Sequence, residues 1–359
     1  GCQFCGACVD VCPTGALTEK SMKYEGLPEQ ASQVVCTLCS LGCRMDVHTR
    51  GNSILFSRPA EEGPVNAGQA CVKGRFFLKD VVHTPKRVTR PLVREKGEWV
   101  EKGWGEALAL VARKLKEFKP GETALVESSQ ASCEEGFVLR NLAGEVLKTT
   151  NLFRPHVFSP TSTYLRMMDR SGILSGLNGK EDAIDAAEKI VVVGTDIATT
   201  HPIVWLKVLD AVKSRGAELF VLASPEFAFD RFSKNTLRIP PGAEVPVLTG
   251  ISKLILERKE EAEGTEKDYS AFAADLEGWS LKDYEKNTGI SLEAILDFGV
   301  RLSEPGPVAY LFGAEASSRP DGEAVLSALW NLAQQTEGSL VPLGMEANER
   351  GLLELDRSG

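Results

Sequence analysis

The feature that most constrains this chain is a set of four cysteines, Cys36, Cys39, Cys43 and Cys71, which stand as C-x2-C-x3-C-x27-C within residues 35–76. Soft thiolates in such a set select an iron-sulfur cluster or a structural zinc. A structural zinc site usually presents two similar two-cysteine hooks, whereas here three sulfurs share one turn and a fourth returns from a distance. That arrangement suits a bulky cubane and favours [4Fe-4S]. Lys73, two residues after the last cysteine, reads either as a surface lysine or as a cation that stabilises electron density added beside the thiolates.

A second run opens the chain. Cys2, Cys5, Cys8 and Cys12, followed by Pro13, spell C-x2-C-x2-C-x3-C-P, the bacterial ferredoxin pattern. In that pattern three thiolates wrap one cubane and the fourth ligates the other cluster of a pair. The rule creates the expectation of a partner run upstream, and so of a fragment; the alternative is one cluster held by all four residues. With nine cysteines in the chain and eight of them in these two groups, ligation explains them better than a disulfide scaffold, and a reducing, cytoplasmic setting follows. Cys133 stands alone and reads as a small buried apolar residue.

The 359 residues suffice for more than one core. A net charge of -9 makes nucleic acid an unsuitable partner. No apolar run approaches the roughly 20 residues that span a bilayer, so direct membrane insertion is not expected, and any membrane link would run through another subunit on the cytoplasmic face.

The pieces around Cys36 resemble the amino-terminal cluster domain of the molybdopterin oxidoreductases that carry a bis-pterin guanine dinucleotide cofactor. The hook, a V-N-x-G turn (Val65, Asn66, Gly68) and a C-x-K-G-R return (Cys71, Lys73, Gly74, Arg75) occur together in that family. The resemblance implies that Lys73 lies between cluster and pterin as an electron relay. The segment C-P-T-G-A-L-T-E-K is similar to the one preceding the cluster domain in NAD-linked formate dehydrogenase large subunits, and more loosely to the large iron-sulfur subunit of NADH:quinone oxidoreductase.

By the same resemblance, a Cys or selenocysteine that binds Mo or W, and then a His, belong within residues 151–163. Aligning Pro160 and Thr161 with the end of that pattern puts Val157 and Phe158 in those places. Valine cannot ligate a metal and phenylalanine cannot shuttle a proton. His156, one residue earlier, reads as a packing or surface residue or as a displaced ligand.

Downstream, I-V-V-V-G at 190–194 reads as a buried strand, 203–213 as a helix with Trp205, Val208, Leu209 and Val212 on one face, and 217–222 as a second strand. Gly194, Thr195, Asp196, His201 and Pro202 would then occupy the crevice at the carboxyl end of a parallel strand, where doubly wound folds bind nucleotides. In the resembled family this loop contacts one guanine dinucleotide. The family's D-P-R after the next strand is here Ser224-Pro225-Glu226, whose lost arginine weakens capture of a pyrophosphate. I-P-P-G-A-E at 239–244, containing Pro241 and Gly242, is either a cofactor contact or a turn that positions the following helix.

The expected fold is α/β: a ferredoxin-like segment (1–32), a small β-rich [4Fe-4S] domain of the Mo/W bis-pterin type (33–89), and doubly wound α/β domains of the molybdopterin oxidoreductase type. One of these is discontinuous (90–152 and 306–359) and the other Rossmann-like (153–305). Residues 307–313 and 324–335 are expected to return as strand and helix to the first α/β layer, with a large further domain expected beyond residue 359. The function that follows is an iron-sulfur electron-transfer subunit of an oxidoreductase complex with a degenerate pterin site. Its partners would be other redox subunits of ferredoxin, flavin/NAD or hydrogenase type. The alternatives are an active Mo/W bis-pterin enzyme resembling formate dehydrogenase, and a scaffold in which the clusters are structural staples.

Overall fold

A computed structural model of the chain describes residues 2, 4–20, 22–154, 182–261, 276 and 281–358. They fall into two compact units, one of residues 1–38, 42–157 and 346–359, the other of 39–41 and 158–345.

The first unit is built on a three-stranded antiparallel sheet, β1 (Gln30–Val35), β2 (Arg44–Arg50) and β3 (Ser53–Pro59), in that order. Met45, Val47, Leu55 and Ser57 are buried while their neighbours along the strands are more open, the period-2 alternation of a sheet with one covered face. Gly51, at φ +52°, makes the β2–β3 turn that its G-N dipeptide predicts. Residues 30–33 form the start of β1. Most of its side chains are exposed, so no apolar alternation marks it. A π-turn (Lys73–Phe77) and a helix (Leu78–Val82) follow.

Next come a hairpin, β4 (Leu92–Glu95) with β5 (Glu98–Glu101), the helix Trp104–Leu115, and two short parallel strands, β6 (Leu125–Val126) and β7 (Leu152–Phe153). The helix Cys133–Asn141 between them starts in a capping box: Ser132 accepts from the Glu135 N–H and Glu135 reaches back to the Ser132 N–H. Cys133 is exposed in its first turn, beside Asn348, rather than buried as expected. Capping demand and helix direction turn its side chain outward. The helix Glu349–Ser358 packs on this layer, with Leu352 fully buried and its carbonyl accepting from Arg140 Nη2 at 2.8 Å.

The second unit holds a five-stranded parallel sheet of β8 (Lys189–Val193), β9 (Glu218–Ala223), β10 (Asn235–Arg238), β11 (Val308–Phe312) and β12 (Ser339–Pro342). The order is β10-β9-β8-β11-β12. Strands β8 and β11 are buried throughout, as a parallel sheet covered on both faces requires. On one face the helices Glu244–Glu261, Leu292–Leu302 and Gly322–Gln335 pack on Val191, Val193, Phe220 and Tyr310; on the other the helix Pro202–Ser214 packs on Ile190, Val192 and Leu219. Each fully buried side chain of this kind contributes roughly 1.5–3 kcal/mol of transfer free energy.

The strand order corrects one expectation. Residues 307–313 do not rejoin the layer of β6 and β7: Val308–Phe312 pair in parallel with Lys189–Val193. The apolar V-A-Y-L-F run needs burial on both faces, and the middle of the five-stranded sheet supplies it, whereas β6 and β7 are partly exposed. Of the carboxy-terminal stretch, residues 346–359 are those that belong to the first unit.

Candidate functional site: the cysteine motifs and the switch point

Within the first unit, Cys36 follows the last residue of β1 and Cys43 precedes the first residue of β2, and both are buried. The Cys36 N–H donates to the Cys43 carbonyl at 2.8 Å, closing the hook on the final rung of the ladder, where Val35 faces Arg44. Asn66, the centre of the V-N-x-G turn, explains why that motif accompanies the hook. It is buried; its Oδ1 accepts from the Arg44 N–H at 2.8 Å and its Nδ2 donates to the carbonyls of Arg44 at 3.2 Å and Gln69 at 2.7 Å. The turn that leads to Cys71 is thereby tied to the residue after Cys43.

Cys71 is half-buried and lies just before the π-turn, the Arg75 N–H donating to its carbonyl at 3.0 Å. A Cβ on Gly74 would lie 3.7 Å from Cys36 Sγ, so the π-turn backbone packs directly against that sulfur. π-turns of this kind frequently mark functional sites. Burial pushes the Cys36 thiol above its ordinary pKa, and the charge of Cys71 pushes it the same way. Cys39 is half-buried on the 39–41 turn, and Lys73 is exposed on the π-turn.

In the amino-terminal run, Cys2 and Cys8 are exposed and Cys5 and Cys12 half-buried. Backbone N–H groups already aim at the sulfurs: Phe4 to Cys2 Sγ at 3.3 Å and Leu17 to Cys12 Sγ at 3.4 Å. The Leu17 bond, helped by Thr14, lowers the Cys12 thiol to about 7. Thiols that become thiolates facing N–H donors are the donor set an iron-sulfur cluster takes, and in that respect these residues fit the group. Among the described residues no three Cys, His, Asp or Glu side chains converge closely enough to grip a metal ion as they stand; metal binding and local ordering are coupled in such sites.

The second unit carries the other candidate site. From β8 the chain steps to β9 and β10 on one side, then returns to β11 and β12 on the other, so the direction reverses between β8 and β11. The crevice beyond their carboxyl ends is the topological switch point, the ligand-binding place of open α/β sheets. Gly194 lies there at φ +68°, its N–H donating to the Leu222 carbonyl at 2.8 Å, and a Cβ on it would stand 3.7 Å from Ala316 in the short helix Ala314–Ser317. Thr195 and Ser317, one from each side, are buried with hydroxyls that have no partner, and Asp196 Oδ1 is likewise unpartnered. Unsatisfied polar atoms gathered at a switch point are groups that a ligand could satisfy.

His201 does not face the crevice freely. Its Nε2 lies 3.1 Å from both Ser40 Oγ and the Gly344 carbonyl, and Nδ1 lies 3.0 Å from Thr200 Oγ1. The carbonyl can only accept, so Nε2 carries a proton. Its place is to hold the 39–41 turn to the end of β12. Pro202 is the first helical residue, where its missing N–H costs nothing. Pro241 and Gly242 lie beyond β10, two strands from Gly194, with Gly242 at φ +92° and its N–H bonded to Glu244 Oε2 at 2.9 Å.

Sequence reasoning missed Arg319, from the loop after β11. It donates to Glu244 beyond β10 and to Asp321 at 3.0 Å. Nothing local in S-S-R-P-D marks it. Val157, Phe158 and His156 lie outside the described residues.

Residues 87–348 match the family described as molybdopterin oxidoreductase, 29–83 the molybdopterin oxidoreductase Fe4S4 domain, and 1–18 the 4Fe-4S binding domain. The chain belongs to the molybdopterin oxidoreductase family. Among curated proteins it is 30% identical over 372 residues to the NADPH-Fe(3+) oxidoreductase subunit alpha of Geobacter sulfurreducens, covering 99% of this chain and 43% of that one. It is 26% identical over 267 residues to the F420-dependent formate dehydrogenase 2 subunit alpha of Methanococcus maripaludis, covering 73% of this chain and 39% of that one. The chain thus spans less than half the length of these relatives. Acetylene hydratase from Pelobacter acetylenicus has the same fold at a TM-score of 0.71 and 17% identity, over 84% of this chain and 42% of that one. No helix among the described residues is long and apolar enough to cross a membrane.

Proposed function

We propose that this chain is the iron-sulfur electron-transfer part of a molybdopterin-family oxidoreductase complex. In this reading Cys36, Cys39, Cys43 and Cys71 hold one [4Fe-4S] cluster and the run Cys2, Cys5, Cys8 and Cys12 ligates a second. Such clusters, when bound, take up and release single electrons. The observation that carries the reading is that the ferredoxin run and the π-turn after Cys71 lie against each other in one compact unit, Arg75 bonding to the Cys5 carbonyl at 2.7 Å. Carriers packed this closely suit a wire, whereas structural staples have no need of contact. Lys73, exposed beside Cys71, is the candidate relay toward an acceptor.

The pterin site is read as degenerate because Val157 and Phe158 cannot supply a metal ligand or a proton carrier. A second reading, a chain that retains its cofactor and oxidises a small substrate such as formate, is favoured by the unpartnered Thr195 and Ser317 hydroxyls at the switch point. The partners are redox subunits that deliver or remove electrons, in keeping with relatives named as alpha subunits, and the setting is the cytoplasm.

The deciding experiment is the iron, molybdenum and tungsten content of the full-length protein purified without oxygen. Iron at about four per cluster with neither heavier metal supports the relay. Stoichiometric molybdenum or tungsten would overturn the degenerate site and direct attention to formate oxidation.

A further inference from the structure

Arg75 joins the two cysteine motifs. It lies in the π-turn four residues after Cys71, and its side chain is only 4% exposed. Its Nε donates to the Cys5 carbonyl at 2.7 Å, its Nη1 to Asp10 Oδ1 at 2.9 Å, and its Nη2 to Asp10 Oδ2. A planar fork can serve a carbonyl and both oxygens of a carboxylate at once, which an ammonium cannot.

The amino-terminal segment is shaped to receive it. Gly6, between Cys5 and Ala7, adopts φ +72°, and a Cβ there would stand 2.2 Å from Arg75 Cδ and 2.4 Å from Nε. Only glycine satisfies both the left-handed backbone and the close approach. On the opposite side, Ser57 Oγ is buried 2.7 Å from the Gly74 carbonyl and 3.0 Å from the Arg75 carbonyl, fixing the π-turn to β3. Gly74 in turn packs against Cys36 Sγ. The contacts therefore run from Cys36 Sγ through Gly74 and the Arg75 guanidinium to the Cys5 carbonyl.

We propose that Arg75 is a positioning residue for electron transfer: it sets the separation of the ferredoxin run from the Cys36 motif, and so the distance an electron must tunnel between the groups they hold. The inference rests on the reading that both motifs bind [4Fe-4S]. A salt bridge that merely added stability would need only Asp10. The bond to the Cys5 carbonyl, inside the ligand run, and the glycine kept clear beside it are what a distance-setting contact requires.

The test uses the full-length protein with its iron in place, comparing wild type, Arg75→Lys and Asp10→Asn by iron content and by electron paramagnetic resonance after chemical reduction. In the wild type, two reduced clusters held close give spectra broadened by their magnetic interaction. The expected result is that both variants keep wild-type iron, with the part of the broadening that arises between the Cys36-motif cluster and the amino-terminal run lost in Arg75→Lys and diminished in Asp10→Asn. Full iron with unchanged broadening in both variants would overturn the role of Arg75 while leaving the relay standing. If Arg75→Lys does not retain iron, Asp10→Asn decides by the same spectrum. Wild-type protein with iron for one cluster or none would instead overturn the relay reading, and this inference with it.

Discussion

Gly322 is the position at which one added methyl group should do most damage near the switch point. It is the first residue of the helix Gly322–Gln335, and a Cβ on it would stand 1.9 Å from the Ser317 carbonyl oxygen and 2.6 Å from its carbon. Real Cβ contacts essentially never fall below 3.0 Å, so one backbone must move by about 1 Å. The helix cannot yield easily, because Val325, Leu329 and Leu332 are fully buried in the core beneath it. The short helix Ala314–Ser317 must move instead, and overpacking of this kind costs about 1–3 kcal/mol. For a unit of this size each kcal/mol lowers the melting temperature by about 2–4 °C. Thermal unfolding followed through Trp205 and Trp330 fluorescence should show that loss in Gly322→Ala. Gly105→Ala is the control of opposite sign: its site is helical and open, with nothing within 4 Å of the new atom. It should stabilise the first unit by about 0.5–1 kcal/mol. An unchanged tryptophan transition in Gly322→Ala would refute the steric reasoning.

Two more outcomes follow. Asn66→Ala removes three hydrogen bonds from a buried side chain and leaves the Arg44 N–H without that partner. It should cost about 2–4 kcal/mol and lower the iron held by the Cys36 motif in a reconstitution assay, with the amino-terminal run unaffected. Tyr284 is pushed by burial from 10.0 up to about 12. Because the folded state favours the protonated phenol, this stabilisation is full below pH about 10 and disappears as pH rises through about 12. An absorbance titration should show the Tyr284 and Tyr310 phenols, both raised by burial, ionising late.

The readable parts of this chain were those with local causes. The cysteine spacings read as ligand sets from local sequence alone, and the strand-helix-strand run from Ile190 to Leu222 declares itself by buried periodicity. The G-N turn at Gly51 is equally local. What escaped depended on long-range pairing. No residue in V-A-Y-L-F says that its neighbour is Lys189–Val193 rather than Leu125–Val126; the sheet order decides that. The start of β1 hides because an edge strand with exposed side chains has no apolar rhythm. Arg75 was legible as part of a motif but not as a clasp, since its partners Cys5 and Asp10 lie 70 and 65 residues away. His201 was legible as a loop residue, yet its bonds to Ser40 and Gly344 give it an anchoring place.

The relay reading stands or falls on whether both cysteine motifs hold clusters. Mössbauer spectroscopy of iron-enriched full-length protein, run on the wild type and on a Cys36→Ser, Cys71→Ser double variant, measures this directly. The account predicts [4Fe-4S] signals in the wild type and loss of about four iron atoms per chain in the variant, with the signal of the amino-terminal run retained. A wild type whose Cys36 motif holds zinc, or a variant with undiminished cluster signal, would contradict it.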